Sequence, residues 1–190
     1  MGEISQNYKI KLICGVLFNP EWCMENFKIK NLNEVINQIN FILEKELKNF
    51  GLDKIDLISS IIEFNFSDYY SEEMGKNLLR YWLSFSPNII ARNLYGIKIF
   101  TNELEVKYFS DNLKNRKVNL DPGFIEASKL VLFSTKNYSH RIYLEGGIFA
   151  EVTLIYKQKQ FQVLDWTYPD YKTSEAIDFF TKVRQKFLSS

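Results

Sequence analysis

Between Val118 and Thr167, five strand-forming runs follow one another with almost nothing between them. They span 118–121, 128–136, 139–145, 148–157 and 161–167, and are separated by Asp121-Pro122-Gly123, Asn137, Gly146-Gly147 and the polar stretch 157–160. A parallel connection needs a crossover of a dozen or more residues, which these gaps do not hold. The third of the chain that contains them is therefore expected to be an antiparallel meander. Whatever precedes it must extend that sheet or cover it. Asp-Pro-Gly carries the signature of a type II turn, with Pro presetting one angle and Gly supplying the positive one. The reading is a turn or kink at 121–123 that lets 128–136 enter the sheet.

Upstream, 8–18 ("YKIKLICGVLF") is an apolar run of strand formers closed by Asn19-Pro20. The spacing of Leu32, Val35, Ile36, Ile39, Ile42, Leu43 and Leu47 predicts a helix. Asn31 caps it, Glu34 stands three residues later, and Gly51 closes it. Residues 56–66 read as a strand, 67–75 as a polar turn and 78–85 as another strand. From Pro87 to Phe109 the apolar positions roughly keep a helical period, and 110–117 is a solvated connector. A last helix is capped by Thr173, with Ala176, Phe180, Val183 and Phe187 on one face. The order up to 118–121 is β-α-β-β-α-β, the ferredoxin-like order. The expected fold is α+β: an antiparallel sheet in that order, extended by the C-terminal meander and a closing helix. With 190 residues and no linker, one domain over 1–190 is expected, with 1–7 flexible.

Two registers are open to the hairpin around Gly146-Gly147. A two-residue loop buries Glu151 among Ile142, Leu144 and Phe149. A three-residue loop over 145–147 pairs Leu144 with Ile148 and Arg141 with Glu151. The second gives the cleaner pattern. Ile142, Leu144, Ile148, Ala150, Val152 and Leu154 fall on one face, and Arg141, Tyr143, Phe149, Glu151 and Thr153 on the other. The following hairpin then brings Trp166 opposite Glu151. This face reads either as a surface salt bridge leaning on aromatics or as one wall of a pocket.

Net charge is +1, so no field strong enough to demand nucleic acid or an anionic membrane follows. Cys14 and Cys23 lie nine apart, and one His cannot complete a Cys/His zinc set. Apolar runs are too short to span a bilayer, and the first residues lack the basic and apolar regions of a signal peptide. A reducing cytoplasm is the expected compartment. Neither a Walker loop, nor G-x-G-x-x-G, nor G-x-S-x-G occurs.

Both signs of charge concentrate in the meander. His140, Glu151 and Asp121 are the catalytic candidates, with His140 as acid/base and Glu151 as orienting partner. Lys129, Lys136, Arg141, Tyr143 and Asp170 are the ligand-binding candidates, with Lys136 and Arg141 as anion holders. No metal ligands are assigned and the cofactor is left open. Asp68 and Glu72 read as a solvated acidic cap or, if the turn there is helical and puts them on one face, as oxygen ligands for a hard cation.

The blocks "KLICGVLF", "FSDYYSEEMG", "IKIFTNELE", "VNLDPGFI", "KLVLFSTKNYSHRIYLEGGIFAEVTL" and "WTYPDYKT" resemble the domain of unknown function 4416 family over nearly the whole chain. The resemblance implies a prokaryotic cytoplasmic protein and carries no residue roles. The function expected from the residues is an enzyme or binder of a phosphorylated small molecule or nucleotide, with an anionic small molecule as partner. The alternatives are an RNA- or protein-binding module stacking on exposed Tyr143, Phe149 and Trp166, and an oligomeric scaffold. A membrane partner is not expected.

Overall fold

The structure is a computed structural model that describes residues 7–111 and 115–190. Of the stretch expected to be flexible, residues 1–6 lie outside the described residues, as do 112–114 of the expected connector. In chain order the strands are β1 (Lys9–Phe18), β2 (Lys54–Ile58), β3 (Ile62–Glu63), β4 (Leu79–Ser86), β5 (Ile89–Ile90), β6 (Ser110–Asp111), β7 (Asn115–Arg116), β8 (Val118–Ile125), β9 (Lys129–Ser134), β10 (Ile142–Glu145), β11 (Ile148–Lys157) and β12 (Gln160–Val163). The helices are α1 (Pro20–Phe27), α2 (Leu32–Leu47), α3 (Ser71–Met74), α4 (Leu94–Tyr108) and α5 (Ser174–Leu188). This is a mixed helix and sheet fold around a large antiparallel sheet in the order β10-β11-β9-β8-β1-β4-β2.

Alternation along β1 builds both sides of the sheet. Leu12, Cys14, Val16 and Phe18 face a core shared with α2 and α4. Ile13 faces a second core that packs Trp82, Leu132, Leu154 and Tyr171 under α5. Both cysteines are free and buried. The end of α5 is tied down by charge: buried Lys11 reaches Asp56 Oδ2 at 2.7 Å, and Lys186 reaches the same oxygen at 3.3 Å.

The caps work as the residues dictate. Asn31 Oδ1 accepts from Glu34 N at 2.9 Å, and Gly51 takes the left-handed conformation after the short 3₁₀ turn that ends α2. Thr173 Oγ1 accepts from Ala176 N. Helix α1 has its own signal in the Asn19-Pro20 pair that closes β1, with Asn19 as the cap and Pro20 at the first helical position.

Several expectations are corrected. Asp121-Pro122-Gly123 is not a turn. It lies inside β8, which runs unbroken beside β1 with Gly15 opposite Asp121 and Cys14 opposite Pro122. Pro is tolerated because β9 joins β8 only from Gly123 onward, so Pro122 sits where the ladder on that side stops. The single strand expected over 56–66 is two short ones, interrupted where Ser59 Oγ takes the Trp82 N–H at 2.9 Å. The expected turn at 67–75 is helical, a 3₁₀ turn over Asp68–Tyr70 running into α3. The last strand ends at Val163, so Trp166 is no cross-strand partner of Glu151.

The hairpin register combines both readings. Ile142 pairs with Ala150 and Tyr143 with Phe149, as the three-residue loop requires. At the tip, however, Glu145 pairs with Ile148 across a two-residue loop, and a bulge between Tyr143 and Glu145 absorbs the difference. Gly146 and Gly147 both take positive φ, as a tight two-residue hairpin turn needs. The face expected to be apolar is split. Ile148, Ala150 and Val152 pack toward α4, whereas Leu154 joins the opposite core because β11 bulges between Val152 and Leu154. β10 is exposed at all four positions. Among the described residues, no helix is long and apolar enough to cross a membrane.

Candidate functional site

The site is created by a split in the sheet. β8 pairs with β1 along its whole length but with β9 only through Gly123–Ile125. β9 continues to Ser134 alongside β11, so Val118–Pro122 peels away from it. The gap opens a cleft of about 640 Å³. Its other walls come from the aromatic segment around Phe64, Tyr69 and Tyr70, from the face of α4, and from Tyr168–Tyr171.

A bare strand edge buried beside a cavity needs hydrogen-bond partners. α4 supplies them. Leu120 N donates to Glu105 Oε1 at 2.7 Å, and Leu120 O accepts from Lys98 Nζ at 2.7 Å. Both charged residues are buried on the stripe that carries Ile97, Thr101 and Leu104. Glu105 also pairs with Arg116 at 2.8 Å, and Arg116 reaches Glu73 at 3.0 Å. Burial pushes the Glu105 carboxyl up, against the pull of Lys98 and Arg116.

The floor is organised by Arg80, a charged residue 3% exposed near the start of β4. Its Nη1 donates to Asp121 Oδ2 at 2.9 Å, and its Nε stands 3.0 Å from Asp170 Oδ2. Asn119 Nδ2 also donates to Asp121 Oδ2, at 2.8 Å. The two carboxyls diverge although they share one guanidinium. Asp121 is deep in the protein, which opposes its charge, but Arg80 and Lys98 prevail and hold it below the usual aspartate range. For Asp170 burial prevails over Arg80, and the nearby Asp121 charge adds to it, so its carboxyl is raised. Asp121 keeps 24% of its side chain open to the cleft, while Asp170 keeps 4%. Gly15 faces this group. A Cβ there would stand 2.6 Å from Tyr171 Oη and 3.0 Å from Arg80 Nη1, so only glycine leaves room for both.

A second charged group backs the wall. Arg141 Nε donates to Glu151 Oε2 at 2.7 Å, and both side chains are 1% exposed. A buried ion pair therefore stands where a surface salt bridge was one of the readings. Arg141 also donates to Ser134 Oγ and the Lys136 carbonyl, each at 2.8 Å, and to Tyr168 Oη. His140 Nε2 lies 3.2 Å from Glu151 Oε2, and its ring is stacked between Tyr138 and Trp166. Burial and the Glu151 charge push the Tyr168 hydroxyl up to about 12.

Of the residues singled out from sequence, Asp121, Lys136, Glu151 and Asp170 line the cleft. Arg141 and His140 stand behind Glu151. Lys129 lies elsewhere, on Glu126 at 2.7 Å, and Tyr143 packs on Phe149 on exposed β10. Sequence reasoning passed over Arg80, Lys98, Glu105 and Arg116. Arg80 had a visible signal, a charge inside "LLRYWLSF"; so did Lys98 and Glu105, charges on the apolar stripe of a helix. Among the described residues, no group of three or more His, Cys, Asp or Glu could hold a metal ion.

Two lysines at the cleft, Lys98 and Lys136, make no ion pair with a carboxylate among the described residues. Lys136 Nζ instead lies 3.8 Å from the Tyr69 ring centroid, joining two walls at the mouth. A family profile described as "Domain of unknown function (DUF4416)" matches residues 9–187. No curated protein and no solved structure matches the chain.

Proposed function

The chain belongs to the domain of unknown function 4416 family, and we propose that it binds a phosphorylated small molecule, with a nucleotide as the best-fitting class, in the cleft between β8 and β9. One observation carries this reading. Two cations at the cleft, Lys98 and Lys136, have no carboxylate partner among the described residues, whereas Arg80 is held by Asp121 and Asp170 and Arg116 by Glu105 and Glu73. A cation left without a counter-charge beside a cavity favours a ligand that brings one. The carboxylates are largely committed: Glu105 to Arg116 and Leu120, Glu151 to Arg141. The unpaired cations are Lys98 and Lys136, which favours an anion. Tyr69, Tyr138 and Tyr168 at the cleft offer rings on which a planar base would stack.

The test is a melting series with inorganic phosphate and the nucleoside 5′-monophosphates, on the natural protein and on Lys136→Ala. A rise in melting temperature that the variant loses is expected; no shift with any of these anions removes the reading. A second reading, a protein-binding module, rests on β10, where Ile142 is 72% exposed beside Tyr143 and Leu144. Light scattering across concentrations, with Ile142→Lys alongside, tests it. We also read β8-β1-β4-β2 as a ferredoxin-like core, residues 1–190 as one domain, and the cytoplasm as its compartment.

A further inference from the structure

We propose that Asp121 is the proton acceptor of a phosphate-ester hydrolysis in this cleft, acting on the water that attacks phosphorus. The inference rests on the phosphate reading and goes beyond it. Asp121 Oδ2 is clamped by Arg80 Nη1 at 2.9 Å and Asn119 Nδ2 at 2.8 Å. Its Oδ1 accepts no hydrogen bond from the described residues, and the side chain is 24% open on the cavity side. One oxygen is fixed and the other is presented. A site that only held an anion would be weakened by an ionised oxygen turned into it, through like-charge repulsion. Such an oxygen has a use where a proton must be taken.

In the step, the water oxygen bonds to phosphorus as the ester P–O bond breaks. The water proton passes to Asp121 Oδ1, and the departing alkoxide takes a proton from solvent water. Transfer of the Asp121 proton back to solvent restores its carboxylate, and the net products are the alcohol and phosphate. Lys98 and Lys136 hold the phosphoryl oxygens. The lowered Asp121 carboxyl stays ionised, and so able to accept a proton, throughout the ordinary aspartate range.

The experiment measures phosphate release from p-nitrophenyl phosphate and the nucleoside 5′-monophosphates, beside the melting shift each produces. The natural protein is expected to release phosphate. Asp121→Asn is expected to lower kcat by about 10²–10⁴-fold while the melting shift persists. The rate is expected to stay level as pH falls through the ordinary aspartate range and to drop only below it. If Asp121→Asn does not fold, Asp121→Glu keeps the charge and moves Oδ1, and kcat should fall with KM held. A melting shift without release, or release undiminished in the Asp121 variants, overturns the assignment and leaves the binding reading standing. Neither shift nor release removes both.

Discussion

At the residue scale the molecule turns on Arg80. It is buried, and it faces two aspartates that would otherwise be stranded charges. Removing one partner of a buried ionic group is far more damaging than the pair's net contribution suggests, about 3–5 kcal/mol. Arg80→Met is expected to lose stability of that order in urea unfolding at pH 7. Arg80→Lys should recover little of it, because one ammonium lacks the fork that serves both carboxyls. The aspartates also set a pH dependence with two opposing signs. Asp121 is lowered in the folded state, so its stabilisation is present above the ordinary aspartate range and is lost as pH falls through its folded-state titration. Asp170 is raised, so the folded state holds its proton more tightly than the unfolded chain. Its contribution is present below the ordinary range and is lost as pH rises through the folded-state titration. Urea melts from pH 3 to 7 should therefore show Asp121→Asn losing the first dependence and Asp170→Asn losing the second. Parallel curves for all three proteins would contradict the divergence of the pair.

At the scale of elements, β8 decides where the cleft opens, and it is also where the sequence misled most. Asp-Pro-Gly has turn chemistry, and local propensity had no view of β1 alongside or of β9 leaving at Gly123. The glycine is there for contact and not for a bend. A Cβ on Gly123 would lie 2.3 Å from Val131 O, inside the β8–β9 pairing. Gly123→Ala must push the strands apart, and overpacking of this kind costs about 1–3 kcal/mol, sometimes more. The expected readout is a lower denaturation midpoint with faster amide exchange in Leu130–Leu132; an unchanged midpoint would refute the close approach. The helices and most strands were legible because their apolar spacing and caps are local. The register of the hairpin was legible in its body, from alternation, and not at its tip, where a bulge at Leu144 shifts the pairing by one residue. Half the site was legible as well: Asp121, Lys136, Glu151 and Asp170 sit in the polar, strand-rich third that drew attention. The other half comes from β4 and α4, whose charges are explained only by the strand edge and the carboxylates they meet across the sheet.

At the scale of the whole molecule, 24 basic and 23 acidic side chains leave almost no net field. A phosphate ester is then not gathered by long-range attraction, and its affinity must come from contacts inside the cleft. This separates a buried site from a basic patch on the surface. Exposed charge pairs weaken as salt shortens the screening length from about 10 Å at 0.1 M, whereas groups inside the protein are screened much less. A ligand that binds only the folded state adds about 2.7 kcal/mol of stability at a hundredfold excess over its Kd. For a chain of this length 1 kcal/mol moves the melting temperature by about 2–4 °C, so saturation should raise it by roughly 5–10 °C. Because the donors of Arg80, Lys98 and Arg116 are held within the fold by Asp121, Leu120 and Glu105, most of that rise is expected to survive 0.5 M sodium chloride. A rise that disappears with salt would place the anion on exposed lysines outside the cleft, and the split between β8 and β9 would then be a packing feature of the sheet with no ligand of its own.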